Sequence, residues 1–219
     1  MKIKIFLISF LIFSCAHPHG KNESNIHMHH QSHEKLIATF DDKSRDEWQK
    51  PHEVLKLIGS LKGRQLIDIG AGSGYFTKYF QQAGANVLAA DVDEKFLDYI
   101  QHSIRGVSLK KIVYDDPMMG KEQFDVAFTS NTYHHIDHRI NYLKKVKEGL
   151  KPGGRFVVVD FKTQASGKQT FGPPLKMRIS IPQVVQELHE AGFEEIIIHS
   201  DKLDYQYVII GIKSNNQPN

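Results

Sequence analysis

The chain has 219 residues, 40% of them apolar, with 16 glycines. That is the make-up of one globular domain with appendages, and it excludes collagen-like, wholly disordered and polytopic membrane proteins. Twenty-eight Lys and Arg against 25 Asp and Glu give +3 at pH 7, too little to indicate nucleic-acid binding, and the single cysteine, Cys15, excludes an internal disulfide, a cysteine-rich zinc site and a CxxC redox centre.

Met1-Lys2-Ile3-Lys4 is a basic start, and Ile5 to Phe13 is an apolar run broken only by Ser9. The run is too short to span about 30 Å of hydrocarbon as a helix, so residues 1–14 read as an export signal. Ile12-Phe13-Ser14-Cys15 resembles the lipobox of bacterial lipoproteins, although Phe13 is bulkier than the small residue usual there. The resemblance implies acylation of Cys15 and anchoring on the periplasmic side or cell surface. A plain signal, or a cytoplasmic chain with a fortuitous apolar start, is the alternative. Without Lys2 and Lys4 the remaining chain is near +1. Residues 15–35 are polar and aperiodic and read as a flexible tether. It carries His17, His19, His27, His29, His30 and His33. Imidazoles this close bind divalent metals loosely, but no thiolate or carboxylate completes a closed site, and no metal is assigned.

The body, residues 36–219, alternates strands and helices. A helix begins at Pro51 and runs through Ile58, with proline in its first turn. Gln65–Ile69 is a strand ending in glycines, Phe76–Gln82 a helix, Val87–Ala90 a strand, and Glu94–His102 a helix with Phe96, Leu97 and Ile100 on one face. Lys111–Tyr114 and Asp125–Phe128 are strands, Ile140–Leu150 is a helix, and Arg155–Phe161 is a β-branched strand after Lys151-Pro152-Gly153-Gly154. A last helix covers about Pro182–Glu190. Glu195–His199 and Tyr205–Ile212 follow with only a short turn between them, which allows only an antiparallel pair. Repeated β-then-α units predict an α/β fold, a parallel sheet covered by helices on both faces, closed by that hairpin.

Asp68-Ile69-Gly70-Ala71-Gly72-Ser73-Gly74 is the most informative stretch. A buried strand runs through alternate glycines into a helix, whose N-terminus offers unpaired N–H groups. Ligands of such sheets bind at the carboxyl ends of the strands. The spacing is G-x-G-x-G; the dinucleotide fingerprint would need a third glycine where Tyr75 stands. Asp91 ends the second strand, where a carboxylate accepts both hydroxyls of a ribose.

Together these motifs resemble the class I S-adenosylmethionine-dependent methyltransferases. Asp68 to Gly74 matches their first motif, and Asp91, followed by Val92, their ribose-binding acid. Tyr114-Asp115-Asp116-Pro117 matches the stretch whose acid contacts the adenine amine. Phe124 to Phe128 leading into Asn131-Thr132-Tyr133-His134-His135 is similar to their fourth motif, and Leu150 to Phe156 matches the turn before strand five. The resemblance covers about residues 40–212. It implies a Rossmann-like seven-stranded sheet in the order 3-2-1-4-5-7-6 with strand 7 antiparallel, and S-adenosylmethionine as cofactor. It also implies a cofactor site of Asp68, Gly70, Ala71, Gly72, Gly74, Asp91, Val92, Asp115 or Asp116, Asn131 and Tyr133.

A sulfonium is already a strong electrophile, so positioning can supply most of the acceleration, and a base is needed only where the acceptor loses a proton. His134 and His135 are the candidates for that base; they are equally placed to shape the cofactor pocket. Trp48 is a lid or a packing residue, and 163–180 is a candidate substrate loop. The acceptor is expected to be a small molecule, not a nucleic acid, because the charge is weak and Ser130-Asn131-Thr132-Tyr133 lacks the Asn/Asp-Pro-Pro-aromatic motif of DNA amine methyltransferases. The rival reading is an exported, non-catalytic lipoprotein that keeps the fold for binding. Its motive is that the apparent export signal leads away from the compartment where S-adenosylmethionine is made.

Overall fold

A computed structural model of the chain describes residues 25, 32–164 and 172–215. The proposed signal, Cys15 and every tether histidine except His33 lie outside the described residues. Among the described residues, no helix is long and apolar enough to cross a membrane.

Seven strands form one sheet: β1 Gln65–Ile69, β2 Asn86–Asp91, β3 Ser108–Lys111, β4 Phe124–Ser130, β5 Leu150–Phe161, β6 Glu195–His199 and β7 Gln206–Ile212. The order is β3-β2-β1-β4-β5-β7-β6. Pairing is parallel from β3 to β5, and β7 runs antiparallel to both β5 and β6. The predicted order and the closing hairpin are therefore present. The helices are α1 His33–Phe40, α2 Arg45–Gln49, α3 Pro51–Ile58, α4 Tyr75–Gln82, α5 Glu94–Ser103, α6 Arg139–Gly149 and α7 Ile181–Glu190.

Successive side chains of a strand face opposite sides of the sheet, and both faces are buried here. Ile67, Ile69, Phe156, Val158 and Ile209 join one core with Leu143 and Val146 of α6 and Val184 and Leu188 of α7. Leu66, Val157, Val159, Val208 and Ile210 join the other with Val54 and Ile58 of α3 and Phe76 and Phe80 of α4. Phe128 sits with its ring centroid 4.7 Å from those of Phe76 and Phe80, which clamps α4 over β1 and β4.

The helix Arg45–Gln49 was not expected from sequence, several element ends differ by one or two residues, and three boundaries differ by more. The third strand is Ser108–Lys111, not Lys111–Tyr114, because Leu88–Asp91 pair with 108–111. Ile112 N–H then donates to Asp91 O, and the chain turns away through a Val113–Asp116 bridge. β5 starts at Leu150, not Arg155. Leu150 pairs with Phe124 ahead of a register shift, and Gly153 and Gly154 exchange backbone bonds with Lys213. Finally, α1 begins at His33, inside the stretch read as tether. Ser32 caps it by accepting the Lys35 N–H, and Leu36 is buried.

Candidate cofactor and active site

The glycine loop leaves β1 at the centre of the sheet, where the strand order reverses, so crossovers diverge and open a cleft. Gly70 N–H and Ala71 N–H both donate to Ala90 O, which stitches the loop to the end of β2. Gly70 has φ +71°, and a Cβ there would lie 2.4 Å from the Thr132 side chain. Only glycine satisfies both conditions.

Asp91 stands across the loop from Gly72. Its Oδ2 accepts the Gly72 N–H at 2.9 Å and its Oδ1 the Asp93 N–H at 2.9 Å. Each carboxylate oxygen has a second acceptor position, which is what a pair of ribose hydroxyls requires. Burial pushes the Asp91 carboxyl up to about 6, against the pull of the Asp93 and Gly72 N–H groups. Asp68 is more deeply buried. Desolvation pushes it up to about 7, opposed by the Thr77 hydroxyl that donates to it at 2.7 Å.

These two carboxyls make the fold pH-sensitive. Both hold protons more tightly folded than unfolded, so the stability these two contribute is fully present below the ordinary carboxylate value near 4 and is lost as pH rises towards 7. Without cofactor, the urea midpoint is expected to fall between pH 5 and pH 7.5. Asp68→Asn should flatten that slope and stabilise the chain at pH 7.5 by roughly 2–4 kcal/mol. A wild-type midpoint independent of pH would contradict the assignment.

A cavity of about 610 Å³ opens over the loop. Asp68, Gly70, Ala71, Gly72, Asp91, Val92, Asn131, His134 and His135 line it, so most of the residues expected from sequence are brought together. Gly74 lies just beyond, as the cap of α4 with φ +83°. Tyr133, Asp115 and Asp116 do not line it. Tyr133 is fully buried, and its hydroxyl donates to Glu187 at 2.5 Å. Asp116 takes Lys145 Nζ at 2.8 Å and the Met118 N–H at 2.6 Å, and Lys145 also donates to Asp115 O. Ile112, Val113 and Tyr114 line the cavity in place of those acids.

Several lining groups come from segments that the motifs did not mark. α1 forms one wall with His33, Leu36, Thr39 and Phe40. His33 Nε2 lies 2.6 Å from Asp93 Oδ2, and the Phe40 ring packs 5.7 Å from that of Phe96. Asp41 accepts the hydroxyls of Ser73 at 2.6 Å and Tyr99 at 2.7 Å. Asn25 donates to His135 O and meets His135 Nδ1 at 2.9 Å. In α2, Arg45 donates to Gln49 and to Phe40 O and stacks 4.0 Å over the Tyr75 ring. Burial lowers its guanidinium to about 10, which leaves it charged at neutral pH.

Trp48, Phe161, Gly172, Pro173 and Met177 also line the cavity. Trp48 and Phe161 are 5.9 Å apart and tilted by 31°, so they form one aromatic wall. Part of the loop expected to hold substrate is therefore present; residues 165–171 lie outside the described residues. Asp160, at the end of β5, was not anticipated. It meets His134 Nδ1 at 3.0 Å through both oxygens.

The cleft fits S-adenosylmethionine. An acid at the end of β2 has acceptor capacity for a ribose, a glycine loop lets a ligand approach the backbone, and both line one cavity of about 610 Å³.

Comparison with known proteins agrees. Residues 67–158 match the family described as Methyltransferase domain. The chain is 26% identical over 170 residues to a tRNA U34 carboxymethyltransferase of Pseudomonas fluorescens, covering 71% of this chain and 53% of that protein. It is 29% identical over 126 residues to the protein of that name from Hahella chejuensis, covering 54% and 38%. The chain thus spans about half the length of these curated relatives or less. A SAM-dependent methyltransferase from Aquifex aeolicus superposes with TM-score 0.73 at 24% identity, over 83% of this chain and 98% of that one. A phosphoethanolamine N-methyltransferase of Haemonchus contortus, in complex with S-adenosyl-L-methionine, superposes with TM-score 0.61 at 16% identity, over 76% and 53%.

The relatives' names overturn one expectation, that of a small-molecule acceptor and no nucleic acid. Net charge is a sum over the whole chain, whereas base recognition depends on a few groups around one opening. The fold is the Rossmann-like methyltransferase fold, residues 67–158 match the methyltransferase domain, and these likenesses support S-adenosylmethionine as the cofactor.

Proposed function

We propose that the chain transfers the activated carbon group of S-adenosylmethionine to a base of an RNA, with transfer RNA as the acceptor class. The observation that carries this reading is the layout of a single cavity. Asp91 ends β2 and Phe161 ends β5, three places apart in the sheet, and the glycine loop and the Trp48–Phe161 wall line the same cavity. RNA bases are recognised sequence-specifically when they are unstacked and laid against aromatic faces, each stack contributing about 1–3 kcal/mol. Lys176 adjoins the lining residue Met177, which puts a cation beside that wall, whereas the segment 41–47 carries more acids than bases. The names of the curated relatives support the same acceptor.

Bound S-adenosylmethionine supplies the electrophilic carbon. Asp91 would hold the ribose end, the glycines would let the ligand approach the loop backbone, and α1 lines one side. The full chain is to be incubated with S-adenosylmethionine and bulk bacterial tRNA, and the digested nucleosides read by mass spectrometry for a methyl or carboxymethyl adduct. The adduct is expected with tRNA. Trp48→Ala should lower its rate about 10–100-fold while cofactor affinity stays within about twofold. Bound cofactor with no adduct on any tRNA would refute the reading.

A further inference from the structure

The function proposed above leaves a buried charge unexplained. Asp160 closes the Val157-Val158-Val159 run of β5 and is 1% exposed. A carboxylate in such a place is costly unless it is paired and fully hydrogen-bonded. Four contacts converge on it. His134 Nδ1 lies 3.0 Å from each oxygen, His134 N–H donates to Oδ2 at 3.2 Å, and Phe161 N–H donates to Oδ1 at 2.7 Å. Burial raises this carboxyl, but the neighbouring His134 and the N–H donors outweigh it and hold it below the ordinary range. Two backbone N–H groups donate to its oxygens, which favours the carboxylate, and a carboxylate only accepts, so Nδ1 is the donor.

The turn that carries the imidazole is held as firmly. Tyr133–His135 is a single 3-10 turn, and Tyr133 on its inner side is locked to Glu187 of α7, which also takes a bidentate grip from Arg139 of α6. His134 itself lines the cavity. A ring held by Nδ1 presents its acceptor, Nε2, as the other nitrogen.

We propose that Asp160 is a positioning residue that fixes His134 as the Nδ1–H tautomer, making Nε2 a general base, so that the acceptor atom is an oxygen or nitrogen that carries a proton. This rests on the group-transfer reading above. In the step, the acceptor's O–H or N–H bond breaks and the proton goes to His134 Nε2. The electron pair left on oxygen or nitrogen forms the new bond to carbon, and the pair of the broken carbon–sulfur bond stays on the departing thioether. The imidazolium formed is stabilised by Asp160 and then returns its proton to water. Acceptors that attack with a lone pair and no proton, such as tertiary amines and thioethers, gain nothing from this arrangement.

The test needs no acceptor. Full-length chain labelled with ¹⁵N-histidine is examined by long-range ¹H–¹⁵N NMR, with His134 assigned by its loss in His134→Gln. The expected wild-type signal is that of an Nδ1–H imidazole. In Asp160→Asn an amide NH₂ replaces one carboxylate oxygen and offers Nδ1 a donor, so the Nε2–H form should appear. With tRNA as acceptor, His134→Gln and Asp160→Asn should each slow transfer about 10²–10⁴-fold. The double variant should be no slower than the worse single one, and cofactor affinity should stay within about threefold. An Nε2–H imidazole in the wild type overturns the proposal even if Asp160→Asn does not fold, as does an unchanged tautomer in a folded variant. A shifted tautomer with no adduct on tRNA refutes the RNA acceptor alone.

Discussion

Asp91→Ala is expected to raise the Kd for S-adenosylmethionine about 100–1000-fold. On the proposed reading the substitution removes the charged acceptor of two ribose hydroxyls, and hydrogen bonds to charged groups are worth about 1.5–3 kcal/mol each. It also leaves the Gly72 and Asp93 N–H groups without the oxygens that now receive them, so the loop loses its brace as well as its ligand contact. Calorimetry on the full chain at pH 7.5 reads this directly. The same carboxyl makes affinity pH-dependent, with a definite sign. It is pushed up to about 6, so the ionised form that accepts hydroxyl protons is depleted as pH falls through 6, and binding should weaken about tenfold per unit below it. An Asp91→Ala protein that binds within threefold of wild type would move the ribose elsewhere.

The second large effect lies outside the cleft. Glu187→Ala should destabilise the chain by about 2–4 kcal/mol, a fall in Tm of roughly 4–16 °C for a domain of this size. Glu187 accepts from Tyr133 at 2.5 Å, from Arg139 Nε and Nη2 at 2.9 Å, and from Gln183 at 3.1 Å. Deleting it strands a buried phenol and a half-buried guanidinium at once. Removing one partner of such a group costs more than the group itself contributes, because the remaining charge stays desolvated. The Tyr133–His135 turn rests on this cluster, so the variant should also lose activity beyond what its unfolding explains. Thermal unfolding within about 1 °C of wild type would show that the cluster does not hold the turn.

The sheet could be read from sequence because its signals are local. Gln65–Ile69 and Val87–Ala90 are short apolar runs followed by turn residues, and the Glu195–Ile212 pair has too little chain between strands for a crossover. The glycine loop and Asp91 were readable for the same reason: the residue types, in that spacing, have few other uses. What escaped were contacts made across the fold. Tyr133 belongs to a motif that faces the cofactor in the family it resembles, yet a carboxylate on α7 draws its hydroxyl into the core. Asp116 sits in the expected tetrapeptide, but Lys145, 29 positions away, holds it outside the cavity. Asp160 carried a signal that went unused: an acid ending a run of three buried valines, at the carboxyl end of a strand next to the switch point. The wall supplied by α1 carried none, since its short amphipathic stretch is indistinguishable from any surface turn until Asp93 and Phe96 come to meet it.

That wall has a consequence for how the protein could be tuned. On the proposed reading the glycine loop and Asp91 would hold the ligand while His33, Leu36 and Phe40 wall it in on one side, and the two sets belong to separate stretches of chain. Changes in α1 would alter how long a ligand stays while leaving what it is recognised by intact, since residence time answers to closure more than to encounter. Recognition and residence time are therefore open to separate change, by substitutions in two different stretches of the chain.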